Sequence, residues 1–186
     1  MSILVTGFDP FGGAAVNPSW EAVQRLPDTI AGHAVHRLQL PTVFGRCGEL
    51  LLTKAEEVQP ALVILCGVAQ GREAVTPELV AVNYRMASIA DNAGQTYSGD
   101  KIDESCPAAF MTAAPVQDII TAIRKAEVPA RLSLSAGAYV CNDLYFAALK
   151  HGLPALFIHV PGSEVVDATH AALAIQIAID TTLHKA

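Results

Sequence analysis

Short apolar runs alternate along the chain with longer stretches in which apolar residues recur every three or four positions, the pattern of strands and amphipathic helices taken in turn. Residues 3–6, 34–40, 61–66, 80–86, 131–135 and 155–160 read as strands, and residues 18–26, 44–58, 115–127, 142–151 and 164–184 as helices. Ala61-Leu62-Val63-Ile64-Leu65 is apolar at every position, as expected of a central strand covered on both faces. Residues 80–86 alternate instead. Asn17 followed by Pro18 predicts a helix start, because Asn caps an orphan amide and Pro presets φ at the first helical position. In the last helix Val165, Ala168, Ala172, Ile175 and Ile179 define one buried face. This alternation is the mark of an α/β fold. No repeat, low-complexity segment or boundary interrupts it, so residues 1–186 are expected to form one domain. Residues 90–106, rich in Asn, Gly, Ser and Asp, read as an excursion near a functional edge.

Composition narrows the class. Charged residues make up 16% of the 186 positions, against about 25% in average domains, while apolar residues reach 52%. Disorder is excluded, and a deeply buried sheet or a subunit interface is expected to absorb the surplus. The net charge of −6 gives no general attraction to nucleic acid or acidic membranes. The longest apolar or glycine run, residues 61–69, falls short of the roughly 20 residues of a membrane helix. The first residues read as a strand rather than an export signal. Cys47, Cys66, Cys106 and Cys141 form no C-x-x-C pair, so free thiols in a cytoplasmic setting are expected, with no metal site.

Cys141 stands near the predicted start of a helix, where the partial positive charge of the helix terminus favours thiolate. His159 follows 18 residues later at the carboxyl end of a strand, the end that faces ligand crevices in α/β sheets. Glu78 opens the run Glu78-Leu79-Val80 and is a carboxylate able to orient an imidazole. Each also fits a structural role: Cys141 as a small buried hydrophobe, His159 as a satisfied core residue, Glu78 as a solvated loop acid. The combination is what points to nucleophilic chemistry. Gly7-Phe8-Asp9-Pro10-Phe11-Gly12-Gly13 lacks the spacing and the lysine of a phosphate loop. Phe8 and Phe11 suit either the core or a flat, neutral ligand held by a few polar groups.

Thr6-Gly7-Phe8-Asp9-Pro10-Phe11-Gly12-Gly13 followed by Asn17-Pro18-Ser19-Trp20 resembles the amino-terminal motif of the pyroglutamyl peptidase I, or pyrrolidone carboxyl peptidase, family. Leu40-Pro41-Thr42-Val43-Phe44 resembles the family's second block, Thr76-Pro77-Glu78-Leu79-Val80-Ala81-Val82-Asn83 its glutamate motif, Ser135-Ala136-Gly137 through Val140-Cys141-Asn142 its cysteine motif, and Phe157-Ile158-His159-Val160-Pro161 its histidine motif. The resemblance implies a cysteine peptidase that removes N-terminal pyroglutamate from peptides. It also implies a three-layer α/β/α sandwich around a mostly parallel twisted sheet, no cofactor, and a cytoplasmic homo-oligomer, tetramer or dimer. Carried over, Cys141 is the nucleophile, His159 the general base and acid, and Glu78 the orienting carboxylate. Phe8, Phe11, Asn17 and Val140 are the substrate-binding residues. The chain departs from the pattern at Ser88, where the family motif D-D-A-R-I-P-D-N has its arginine, at Val68, where glutamine is usual, and in the short interval from Cys141 to His159. Arg85, three positions away in an extended segment, points to the opposite face from residue 88. Ser88 leaves two alternatives, a divergent member acting on another small cyclic amide or acyl group, or a binding protein with little turnover.

Overall fold

In the computed structural model, which describes residues 2–185, strand β1 (Ser2–Phe8) is buried from its second residue onward. It lies in the middle of a six-stranded sheet with β2 (Thr29–Ile30), β3 (His33–Leu40), β4 (Leu62–Val68), β10 (Ala155–Val160) and β5 (Thr76–Glu78), in the order β2-β3-β1-β4-β10-β5. The four inner strands run parallel, and the two edge strands β2 and β5 are antiparallel to their neighbours. Alternate residues of the inner strands feed two separate cores. Ile3, Val5, Ile64, Leu156 and Ile158 pack against helices α1 (Pro18–Gln24), α3 (Val116–Lys125) and α5 (Ala168–Leu183). Leu4, Val63, Leu65 and Phe157 pack against α2 (Arg46–Val58) and α4 (Val140–Lys150). The result is an α/β/α sandwich, and it explains why β4 is apolar on both faces. No described helix is long and apolar enough to cross a membrane.

Side-chain caps fix the starts of α1 and α5. Asn17 Oδ1 accepts from the Ser19 amide, as the sequence predicts for α1. The last helix begins only at Ala168, because Asp167 Oδ1 accepts from the Thr169 and His170 amides and fixes the first turn there, four residues later than the apolar pattern suggests.

Two predicted strands are corrected. Residues 80–86 break into β6 (Val80–Val82) and β7 (Arg85–Ala87), which pair outside the main sheet with β9 (Ala109–Met111) and β8 (Tyr97–Asp100). The break falls at Asn83. Its side chain donates to the carbonyls of Asp103, Cys106 and Pro107 and accepts from the Ile102 and Asp103 amides, turning the chain away. Residues 131–135 form no strand; they touch the sheet edge at the isolated bridge Glu78–Ser133, with the bridge Val75–Ala130 just before them, through a few backbone hydrogen bonds rather than a ladder. Leu132 and Leu134 remain exposed, so their alternation does not report a buried face.

Candidate active site

The carboxyl ends of the parallel strands carry the chemistry-bearing residues. Phe8 ends β1, Val68 ends β4, and His159 is the penultimate residue of β10. Cys141 is the second residue of α4, in the turn whose amides have no intrahelical acceptor. Asn142 and Asp143 hold that turn in place. Asn142 exchanges hydrogen bonds with the backbone of Val82 at 2.8 and 2.9 Å, and Asp143 accepts from the Gly45 amide and from Arg85 Nε at 2.6 Å.

His159 and Glu78 meet as the sequence spacing alone does not show. Residues 157–159 pair antiparallel with β5, with Phe157 opposite Glu78 and His159 opposite Thr76, which places the imidazole and the carboxylate on one face. His159 Nδ1 lies 2.7 Å from Glu78 Oε1, and Glu78 is wholly buried. The ring's contact with Glu78 is through Nδ1, so Nε2 is the nitrogen turned away from the carboxylate. His159 is also the register partner of Gly67 in β4. A Cβ on Gly67 would stand 2.8 Å from Cys141 Sγ and 2.9 Å from the tip of the Phe157 ring, so the sulfur occupies the space that glycine leaves beside His159. Neighbouring strands lie about 4.8 Å apart, which brings thiol and imidazole to one corner of the sheet.

Burial sets the resting charges. It pushes the Cys141 thiol up to about 12, with the Glu78 charge adding to the effect and Arg72 opposing it. Burial also lowers His159 below 6.5, partly offset by its bond to Glu78. The helix terminus, worth roughly 0.3–1 kcal/mol and thus under one pKa unit, is outweighed. Burial thus works against both the imidazolium and the thiolate that helix position alone favours.

A cavity of about 150 Å³ opens over the sulfur. Phe8, Phe11 and Tyr139 give it aromatic walls, Val68 an apolar side, and Asn17, Thr42 and Gln70 its polar atoms. The Phe11 and Tyr139 rings lie 5.4 Å apart. Asn17 is largely committed to structure: Oδ1 accepts from the Ser19 amide and hydroxyl, and Nδ2 donates one hydrogen to the Asp9 carbonyl, which leaves one N–H. Val140 does not line the cavity; its side chain is fully buried in the core beneath Cys141. The excursion over residues 90–106 does reach the rim, where Asn92 Nδ2 donates to Asp9 and Pro10 and Tyr139 Oη donates to the Ala90 carbonyl.

Ser88 is exposed and lines a neighbouring space of about 280 Å³ with Phe11, Met86, Ile89 and Tyr139. Arg85 is engaged elsewhere, paired with Asp143 and lying 5.3 Å from the Tyr97 ring centroid. Two contributors escape the sequence reading. Gly67 looks like any strand glycine until register places it beside His159, and Arg72 stands in a loop six residues before Glu78. Arg72 Nη1 nevertheless donates to Glu78 Oε1 at 2.6 Å. Among the described residues no group of His, Cys, Asp and Glu is arranged to hold a metal. The residues that line an apolar cavity of about 390 Å³ at the amino ends of β4 and β10 include no Cys, His or carboxylate.

A family model described as pyroglutamyl peptidase matches residues 1–184. The pyrrolidone-carboxylate peptidase of Lactobacillus acidophilus is 41% identical over 183 residues, 94% of this chain and 92% of that protein. The one from Thermococcus onnurineus is 41% identical over 187 residues, 96% and 94% of the two chains. Among solved structures, pyroglutamyl peptidase I of Bacillus amyloliquefaciens superposes with a TM-score of 0.92 at 36% identity, covering 98% of this chain and 97% of its own. Pyrrolidone carboxyl peptidase of Thermococcus litoralis gives 0.91 at 33%, covering 98% and 93%.

Proposed function

The chain belongs to the pyroglutamyl peptidase family, and from that premise we propose that it removes an N-terminal pyroglutamyl residue from peptides through an acyl-enzyme on Cys141. The observation that carries this reading is the convergence of Cys141, an aromatic-walled cavity and the buried Glu78–His159 pair at one end of the sheet. A pyroglutamyl terminus carries no ammonium group. Phe8, Phe11 and Tyr139 offer faces for its ring, the remaining N–H of Asn17 and the Gln70 amide offer partners for its polar atoms, and no acidic clamp is required.

Because the thiol rests protonated, attack and deprotonation are coupled. His159 Nε2 takes the proton from Sγ as sulfur bonds to the carbonyl carbon that follows the lactam ring, and the carbonyl electron pair moves to oxygen. The amides of the first turn of α4 face the resulting oxyanion in place of the arginine that residue 88 does not supply. Collapse breaks the C–N bond, and the leaving amine takes the proton from the imidazolium. Water, deprotonated by Nε2, then cleaves the thioester, releasing pyroglutamate and returning the proton to Sγ. Glu78 accepts the Nδ1 hydrogen throughout and stabilises the transient imidazolium.

The matching relatives favour this reading over a divergent substrate. Its finer parts are proposals too: Cys141, His159 and Glu78 as catalytic residues, Phe8, Phe11, Asn17 and Val140 around the substrate, a cytoplasmic setting, and a homo-oligomer, tetramer or dimer. Val140 acts in this scheme through its backbone and by packing under Cys141. The test is hydrolysis of a fluorogenic pyroglutamyl amide. Wild type releases the fluorophore and Cys141→Ala does not; an inactive wild type, or equal rates, would refute the assignment.

A further inference from the structure

Glu78 has no exposed surface, yet only one of its oxygens is partnered: Oε1 accepts from both His159 Nδ1 and Arg72 Nη1, and Oε2 has no hydrogen bond among the described residues. A buried carboxylate in that state protonates unless a cation compensates it. We propose that Arg72 is a positioning residue for this reaction, whose guanidinium keeps Glu78 ionised and thereby holds His159 as the neutral, Nδ1-protonated base. The proposal rests on the function above.

Proton placement decides whether Nε2 can act as a base. If Glu78 took up a proton, its hydroxyl would donate to Nδ1 and drive the imidazole hydrogen onto Nε2, leaving no base toward the sulfur. If Glu78 stayed ionised without Arg72, its uncompensated charge would favour the imidazolium, again with Nε2 protonated. Arg72 opposes both outcomes with a full charge in direct contact. It is also anchored to the strand that carries the carboxylate. Nη1 donates to Thr76 Oγ1, and that hydroxyl reaches the His159 carbonyl at 3.5 Å, so guanidinium, carboxylate and imidazole form one closed network across β5 and β10. The Arg72 side chain is 28% exposed, so it retains part of its hydration.

The other titratable groups around His159 do not duplicate this role. From α4 come the Cys141 thiol and Tyr145, whose hydroxyl donates to the Glu78 carbonyl. β4 presents Gly67. Glu73, next to Arg72, faces outward and pairs with Arg131 at 3.8 Å. Burial lowers His159, and Arg72 acts in the same direction on it.

The test measures the His159 titration midpoint by imidazole NMR, together with kcat/KM against pH on a pyroglutamyl amide, in wild type, R72Q, R72M and R72K. The neutral variants are expected to raise the imidazole midpoint, or the acid limb of kcat/KM, by about 1 unit or more, while R72K stays near wild type. A wild-type midpoint and limb in R72Q or R72M would overturn the proposal. So would failure of both neutral variants to fold beside a folded R72K that titrates as wild type, since Arg72 would then be a stability residue only. The NMR midpoint needs no substrate, so an enzyme inactive on pyroglutamyl amides would defeat the proposed function without touching this result.

Discussion

Gly67 and Cys141 are in such close contact that a single methyl group on the glycine would lie 2.8 Å from the sulfur. Gly67 is at the same time the register partner of His159, so the space the glycine leaves seats the sulfur next to the strand position that carries the imidazole. Gly67→Ala is expected to displace Sγ and the Phe157 ring, at a folding cost of about 1–3 kcal/mol. A nucleophile moved by about 1 Å loses on the order of 10²-fold in rate. Chemical denaturation and kcat on a pyroglutamyl amide check this; a variant with wild-type kcat would show that the contact does not position the sulfur.

Glu78→Gln keeps size but removes the charge and places an amide that can donate opposite Nδ1. The imidazole then has reason to carry its hydrogen on Nε2. A fall in kcat of about 10²–10⁴ is expected, with KM nearly unchanged because Glu78 does not line the cavity. A rise in KM at constant kcat would place Glu78 in substrate binding instead.

The pH dependence follows from His159. Burial lowers its folded pKa below 6.5, so the neutral base persists through neutrality, and activity is lost as pH falls through that lowered value. The acid limb of kcat/KM is therefore expected below pH 6.5, with no loss between 7 and 8. A limb above 6.5 would mean that Glu78 dominates and that the site rests as an ion pair.

Alkylation separates position from reactivity. Cys141 borders the cavity, whereas Cys66 has no exposed surface. Iodoacetamide is expected to label Cys141 before Cys66. At pH 7 it should nonetheless label Cys141 more slowly than a free cysteine of pKa about 8.5, because burial holds the thiol up at about 12. Peptide mapping of timed samples reads both; labelling of Cys141 faster than the free thiol would indicate a resting thiolate.

Much of this was legible along the chain because local chemistry agrees with the fold. The all-apolar stretch of β4, the Asn17 cap and the order of strands and helices each follow from periodicity and capping. Phe8, Phe11, Cys141 and Asn17 do border one cavity. What escaped depends on tertiary pairing. Residues 131–135 alternate like a strand, yet they meet the sheet edge at one isolated bridge, Glu78–Ser133. The upward push on the thiol follows from burial, which no sequence position displays. Arg72 reaches Glu78 because the loop after β4 folds back to β5, and nothing in the spacing of residues 72 and 78 announces it.

Turnover through an acyl-enzyme requires a covalent bond between Cys141 and the pyroglutamyl group. Rapid acid quenching of enzyme mixed with an activated pyroglutamyl ester, followed by mass spectrometry of the Cys141 peptide, tests it most directly. The expected result is one pyroglutamyl adduct on Cys141 that forms within a turnover, decays with product release, and is absent from Cys141→Ala. Turnover with no adduct on Cys141, or with an adduct on another residue, would rule out Cys141 as the acylated residue.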